Sequence, residues 1–184
     1  MKIKQNPAPV LFPLPTILVT SASNDGQINV ATISWTGVLC SEPPMVGIGV
    51  RPSRHTYKYI KETMEFVINI PQVNVVVQTD KCGMVSGDKE DKFALTGFTA
   101  EPADKVRAPL IKECPVNVEC VVKQILPLGT HDFFVAEVVA VHVEESLLDA
   151  SGRIDSIKAN PIAYLASGYN SLKEQIGQYG FSKK

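Results

Sequence analysis

No uninterrupted apolar run in the 184 residues approaches the roughly 18 needed to span a membrane as a helix. Lys2 and Lys4 ahead of apolar residues, with small residues at Ser21-Ala22-Ser23, imitate a leader peptide. Pro7, Pro9, Pro13 and Pro15 break any helical segment there. Charge of one sign is lacking as well: 18 basic and 19 acidic side chains give a net charge of -1. That balance argues against a nucleic-acid-binding stripe or a polybasic membrane patch. The four cysteines, Cys40, Cys82, Cys114 and Cys120, form no C-x-x-C pair and have no histidine at zinc-finger spacing. Neither a metal site nor a secreted disulfide framework is expected, and reduced thiols point to the cytoplasm.

The familiar catalytic motifs are also missing. Gly47-Ile48-Gly49-Val50-Arg51-Pro52 starts like a dinucleotide fingerprint, but Pro52 stands where the third glycine belongs. No Walker sequence, H-E-x-x-H or G-x-S-x-G occurs. What remains is 45% hydrophobic and 20% charged, an ordinary globular composition, and the length predicts one domain over residues 1–184. A core of that size needs no metal or disulfide to hold it.

The pattern is mainly β. Thr16–Ser23 and Ile28–Ser34 flank Asn24-Asp25-Gly26-Gln27, a hairpin signal. Met45–Val50 reads as a strand buried on both faces, Glu65–Ile70 as another, and Val116–Ile125 as a third. Asp132–Glu144 is the longest predicted strand, joined to its predecessor through Pro127-Leu128-Gly129-Thr130. A short strand over Pro161–Leu165 precedes a polar tail. Helix is predicted from Arg54 to Glu62, with Ser53 as cap, and again between Gln72 and Phe98, with Val73, Val76 and Val77 on one face and a break at Cys82-Gly83. Short strands with few helices point to an antiparallel barrel or sandwich.

Two polar stretches invite chemistry. Arg51-Pro52-Ser53-Arg54-His55-Thr56-Tyr57-Lys58 places two guanidiniums and several hydroxyls at a helix start, which suits an anion, though a solvated basic turn has the same pattern. Ser86-Gly87-Asp88-Lys89-Glu90-Asp91-Lys92-Phe93 feeds a glycine loop into a charged helical turn, which a capped solvent-facing helix also explains. Trp35 suits the core, His131 lies at a turn open to solvent or a cleft, and His142 sits among valines as a structural histidine.

Seven segments in register resemble one family. They are Pro13-x-Pro15-x-x-Leu18-Val19-Thr20, Asp25-Gly26-x-x-Asn29-x-Ala31-Thr32-x-Ser34-Trp35, Pro43-Pro44, Arg51-x-Ser53-x-x-Thr56, Phe66-x-Ile68-Asn69-Ile70-Pro71, Cys82-Gly83-x-x-Ser86-Gly87-x-x-x-Asp91-Lys92-Phe93 and His131-x-x-Phe134-x-x-Glu137-Val138. Together they resemble the flavin reductase-like, FMN-binding split-barrel family, and within it the flavoredoxin branch. The resemblance implies a Greek-key antiparallel split β-barrel with helical insertions, a homodimer, and one FMN per subunit near the dimer interface. It assigns Thr32, Ile33, Ser34 and Trp35 to the flavin ring, and Arg51, Ser53, Arg54, His55 and Thr56 to its phosphate. Asn69, Ser86, Gly87 and Lys92 complete the pocket, with Cys40 as a ring contact and His131 on the nicotinamide side. The implied activity is an oxidoreductase in which NAD(P)H reduces FMN, whose electrons pass to free flavin or a partner. The alternative is an electron carrier with tightly held FMN, reduced by an electron-transfer protein. Hydride transfer needs no acid–base residue, which accounts for the missing triads.

Overall fold

The computed structural model describes residues 1–183. In chain order the elements are β1 (Leu14–Pro15), β2 (Ile17–Ala22), β3 (Ile28–Ile33), β4 (Thr36–Ser41), β5 (Pro44–Val50), α1 (His55–Thr63), β6 (Glu65–Ile70), α2 (Val76–Met84), α3 (Lys92–Thr96), β7 (Ala100–Glu101), β8 (Leu110–Ile111), β9 (Val116–Pro127), β10 (Asp132–Val143), β11 (Ile162–Leu165) and β12 (Gly168–Ser171). Seven of these strands form one antiparallel sheet in the order β3-β2-β6-β9-β10-β5-β4. The fold is a mainly β antiparallel split barrel with helical insertions. The β2–β3 and β4–β5 hairpins lie at opposite edges, and β6, β9 and β10 connect them.

The sheet curls because its inward residues share one apolar interior. Val19, Ile33, Ile48, Val50, Phe66, Ile68, Cys120, Val122 and Phe134 come from six strands and pack in a single cluster that Tyr57 and Ile60 of α1 close. The curl brings the two edge hairpins together where β3 touches β5, and the Gly49 N–H, donating to the Trp35 carbonyl at 2.7 Å, carries the β4–β5 pairing back to the end of β3. On the outer face of β2 and β3, Leu18 and Val30 pack with Val75, Cys82 and Phe93, so α2 and α3 cover that side. β11 and β12 form a separate small sheet with β1.

Several expectations are corrected here. α1 is capped by Arg54, with φ -84° and ψ 142°, and no side chain caps it; Ser53 lies one position too early. α2 runs through Cys82 and Gly83 to Met84, and its buried residues are Thr79 and Cys82, while Val77 is exposed. The run of valines is therefore not its inner face. The Thr36–Ser41 strand went unread; it pairs with β5 across the sheet edge and is exposed along most of its length. As a result Met45 and Val46 of β5 are only half-buried. β9 extends to Pro127 and equals β10 at 12 residues. The expected tail after Leu165 instead turns back as β12.

Candidate functional site

A cavity of about 380 Å³ opens where the two edge hairpins meet α1 and α2. One wall is the end of β3 and the residues after it, Thr32, Ile33, Ser34 and Trp35. Gly49 and Val50 come from β5, Arg51, Arg54, His55 and Thr56 from the start of α1, and Ser86, Gly87 and Lys92 from the loop into α3. His131 enters from the β9–β10 turn. These fourteen residues come from four separate stretches of the chain and converge on one space.

The geometry at one end is that of an anion site. In the first turn of α1 the Tyr57 N–H donates to the Arg54 carbonyl at 3.0 Å, while the N–H groups of His55 and Thr56 have no acceptor among the described residues and no side chain caps them. Arg51 and Arg54 flank them, and Asn29 Nδ2 donates to Thr56 Oγ1 at 2.6 Å, fixing that hydroxyl. Lys92 is 6% exposed, and its Nζ donates to the Cys82 carbonyl at 2.7 Å. Burial pushes its pKa down. None of the ion pairs among the described residues involves Arg51, Arg54 or Lys92. His55 Nδ1 is buried without a hydrogen-bond partner. Burial is also the main cause that lowers the His55 pKa, so the ring tends to be neutral. A Cβ at Gly87 would overlap Asn29 Oδ1 and come within 3.0 Å of His55 Cδ2, so the backbone there passes as close to the cavity floor as only glycine allows.

At the other end the surroundings are aromatic. Trp35 and His131 stack with ring centroids 4.2 Å apart. Arg51 Nε lies 3.3 Å from His131 Nε2. A guanidinium only donates, so Nε2 is the acceptor, and the Nδ1–H of the neutral ring is free to donate to Thr130 Oγ1 at 3.0 Å. Burial, then Arg51 and Arg54, depresses the His131 pKa below its usual 6.5, consistent with that neutral form.

Three expected site residues lie elsewhere. Asn69 is fully buried in β6, where its Nδ2 donates to the Leu18 carbonyl and its Oδ1 accepts from Ile111 N–H and Asn117 Nδ2. Its amide is spent on joining strands. Cys40 is exposed on edge strand β4, its Sγ 3.3 Å from the Glu42 carbonyl, away from the cavity wall. Ser53 is exposed in the turn before α1 and does not line the cavity. Conversely, Asp80, Tyr164 and Tyr169 line it unforeseen. Asp80, Gly83 and Met84 share one face of α2 at i, i+3 and i+4, a signal hidden by the apparent break at Cys82-Gly83.

The flavin reductase-like domain model matches residues 10–173. The chain belongs to the flavin reductase-like family. Within it the chain stands with the flavoredoxin branch. Over its full length it superposes on the whole flavoredoxin of Desulfovibrio vulgaris (Miyazaki F), with TM-score 0.92 and 30% identity. It also superposes over its full length on 98% of the flavoredoxin from Methanosarcina acetivorans, with TM-score 0.92 and 33% identity. A protein of Archaeoglobus fulgidus is 34% identical over 145 residues, 79% of this chain and 81% of that one. In this flavin reductase-like chain the cavity lies at the junction of the two halves of the split barrel.

Proposed function

We propose that the cavity holds FMN and that the protein is an oxidoreductase taking electrons from NAD(P)H. The observation that carries this reading is the set of unpaired cations, Arg51, Arg54 and the buried Lys92, around a free helix N-terminus, with a Trp35–His131 stack in the same cavity. An unpaired buried ammonium is costly unless an anion answers it. The residues fit the group: phosphate answers Arg54, Lys92 and the open N–H groups of His55 and Thr56, the orphaned His55 Nδ1 gains a partner, and Gly87 lets its loop close against Asn29 and His55 at the same end of the cavity. Thr32, Ile33 and Ser34 would line the ring, and Trp35 would exclude water from it. When bound, FMN would supply two-electron chemistry, serving as the acceptor for the hydride that a dihydronicotinamide gives up.

His131 stands beside Trp35 at the ring end and holds Arg51 in place through its Nε2. The electrons then pass to free flavin or a partner acceptor. A second reading, an electron carrier reduced by a protein, is favoured by the likeness to two flavoredoxins. The free thiols of Cys40, Cys82, Cys114 and Cys120 suit a reducing cytoplasm. A homodimer is part of the proposal, supported by edge strand β4, which leaves Val38 81% exposed.

Purified protein should be yellow and release FMN on denaturation. Anaerobic NADH or NADPH should bleach the bound flavin within minutes. Bleaching by dithionite but by neither nucleotide would replace the reductase with the carrier, and a sedimentation mass of one chain with FMN bound would remove the dimer.

A further inference from the structure

The cationic cavity contains one residue of the wrong sign. Asp80 is the only carboxylate among the described residues that line it, and a phosphate site gives no reason for a carboxylate. Its Oδ1 accepts from Tyr169 Oη at 3.1 Å, a contact between residues 89 apart in the chain. Tyr169 lies directly opposite Tyr164 across the β11–β12 pair, and the two rings meet edge to face with centroids 5.9 Å apart. Both rings line the cavity. The hairpin turns through Ala166 and Ser167, with φ of 47° and 67°, so two non-glycine residues take up left-handed backbone to bring the tyrosines to this place. Burial and then the Asp80 contact push the Tyr169 phenol up to about 12, so it remains a donor throughout the neutral range.

We propose that Asp80, Tyr164 and Tyr169 form a selective rim that admits the second reactant ring-first, as a flat unsaturated ring, and turns away anions. The inference rests on the flavin reading and adds the chemistry of what approaches the flavin: a dihydronicotinamide or a second flavin ring, with its phosphates kept outside. The tyrosines offer flat and edge-on apolar surface to a ring. The carboxylate opposes a phosphate at the same opening and holds Tyr169 through its hydroxyl, making Asp80 a positioning residue for the hairpin tip.

The test uses FMN-loaded protein and needs no turnover. Quenching of bound-flavin fluorescence by iodide is compared with quenching by neutral acrylamide in wild type, Asp80→Asn and Tyr169→Phe. Asp80→Asn keeps an acceptor for Tyr169 and should raise the iodide-to-acrylamide ratio about threefold, as for a unit charge roughly 6 Å away in water-like surroundings. Tyr169→Phe frees the hairpin tip and should raise quenching by both agents together. The same ordering is expected for anaerobic reduction by anionic dithionite against uncharged N-benzyl dihydronicotinamide. An unchanged ratio in Asp80→Asn, or unchanged acrylamide access in Tyr169→Phe, overturns the rim while FMN binding stands. Failure of the wild-type protein to take up FMN in the initial titration overturns the cofactor reading and the rim with it.

Discussion

Two buried charges in this molecule are treated in opposite ways. Glu119 of β9 is fully buried, and its carboxylate accepts from the N–H groups of Asp104, Lys105 and Val106 at 2.9, 2.6 and 3.1 Å. His142 Nε2 completes the set at 2.5 Å. Lys92 is nearly as buried but has a single carbonyl for company and no carboxylate. A satisfied charge fastens one element to another, here the loop at 104–106 onto the β9–β10 surface. An unsatisfied one at the wall of a cavity is poised for something that arrives later. The same logic separates Asn69, saturated within the sheet, from His55, whose Nδ1 has nothing.

The sharpest way to break this comparison is at Glu119. Glu119→Ala strands three backbone donors and should cost about 3–5 kcal/mol in urea unfolding; a loss below about 1 kcal/mol would show that the loop does not depend on it. Burial raises the Glu119 pKa, but the Asp104 N–H, His142 and the Lys105 N–H outweigh it and hold the carboxyl below its ordinary value. Its stabilising contribution is therefore complete above the unfolded-state pKa and lost as pH falls through the folded one. The gap between wild type and Glu119→Gln should accordingly close in acid, and a gap independent of pH would contradict the assignment.

At Lys92 the opposite holds. Lys92→Met should leave the FMN-free protein as stable as wild type or more so, yet weaken FMN by roughly 10- to 150-fold, the loss of one charge-assisted hydrogen bond at about 1.5–3 kcal/mol. A Lys92→Met protein that is less stable than wild type without FMN, yet binds FMN with unchanged affinity, would reverse the roles of the two charges. Arg54→Ala, at the exposed lip, should weaken FMN by up to about tenfold and scarcely touch riboflavin, which lacks the phosphate. Equal losses for both ligands in calorimetry would remove Arg54 from the phosphate site. The smallest expected effect is at His131, where Ala removes the acceptor of Arg51 Nε. FMN affinity should drop only about two- to tenfold, as for a neutral hydrogen bond, while reduction by NADH slows by more. A larger effect on affinity than on reduction would make His131 a phosphate residue instead.

The strands that carry the barrel were legible because their patterns are local: the Asp25-Gly26 turn, the six residues of β6 and the long β9–β10 hairpin all stand where the sequence places them. Strand β4 was not, because Thr36–Ser41 is an exposed edge that takes its place in the sheet by pairing with β5 on one side. At the site, the Arg51–Thr56 cluster could be read from its own chemistry, since cations at a helix start need no distant partner to be recognised. Asn69 misled because an amide inside a strand looks the same whether it faces a ligand or, as here, three neighbouring segments. Asp80 and Tyr169 were invisible for the converse reason: their meaning lies in a contact across 89 residues, and neither has a local motif.

The strand order also bears on how the molecule assembles. The two hairpins closed by short turns, β2–β3 and β4–β5, end up at opposite edges of the seven-stranded sheet, and only β6, β9 and β10 bridge them. Both hairpins contribute wall to the cavity. The early, local structures therefore cannot form a binding site between them until β9 and β10, far along the chain, have docked, and such long-range pairing is slow. A ligand of this cavity will recognise the finished fold and none of its half-built precursors. During refolding, flavin uptake should then coincide with the last and slowest phase, after most of the β signal in far-ultraviolet circular dichroism has returned.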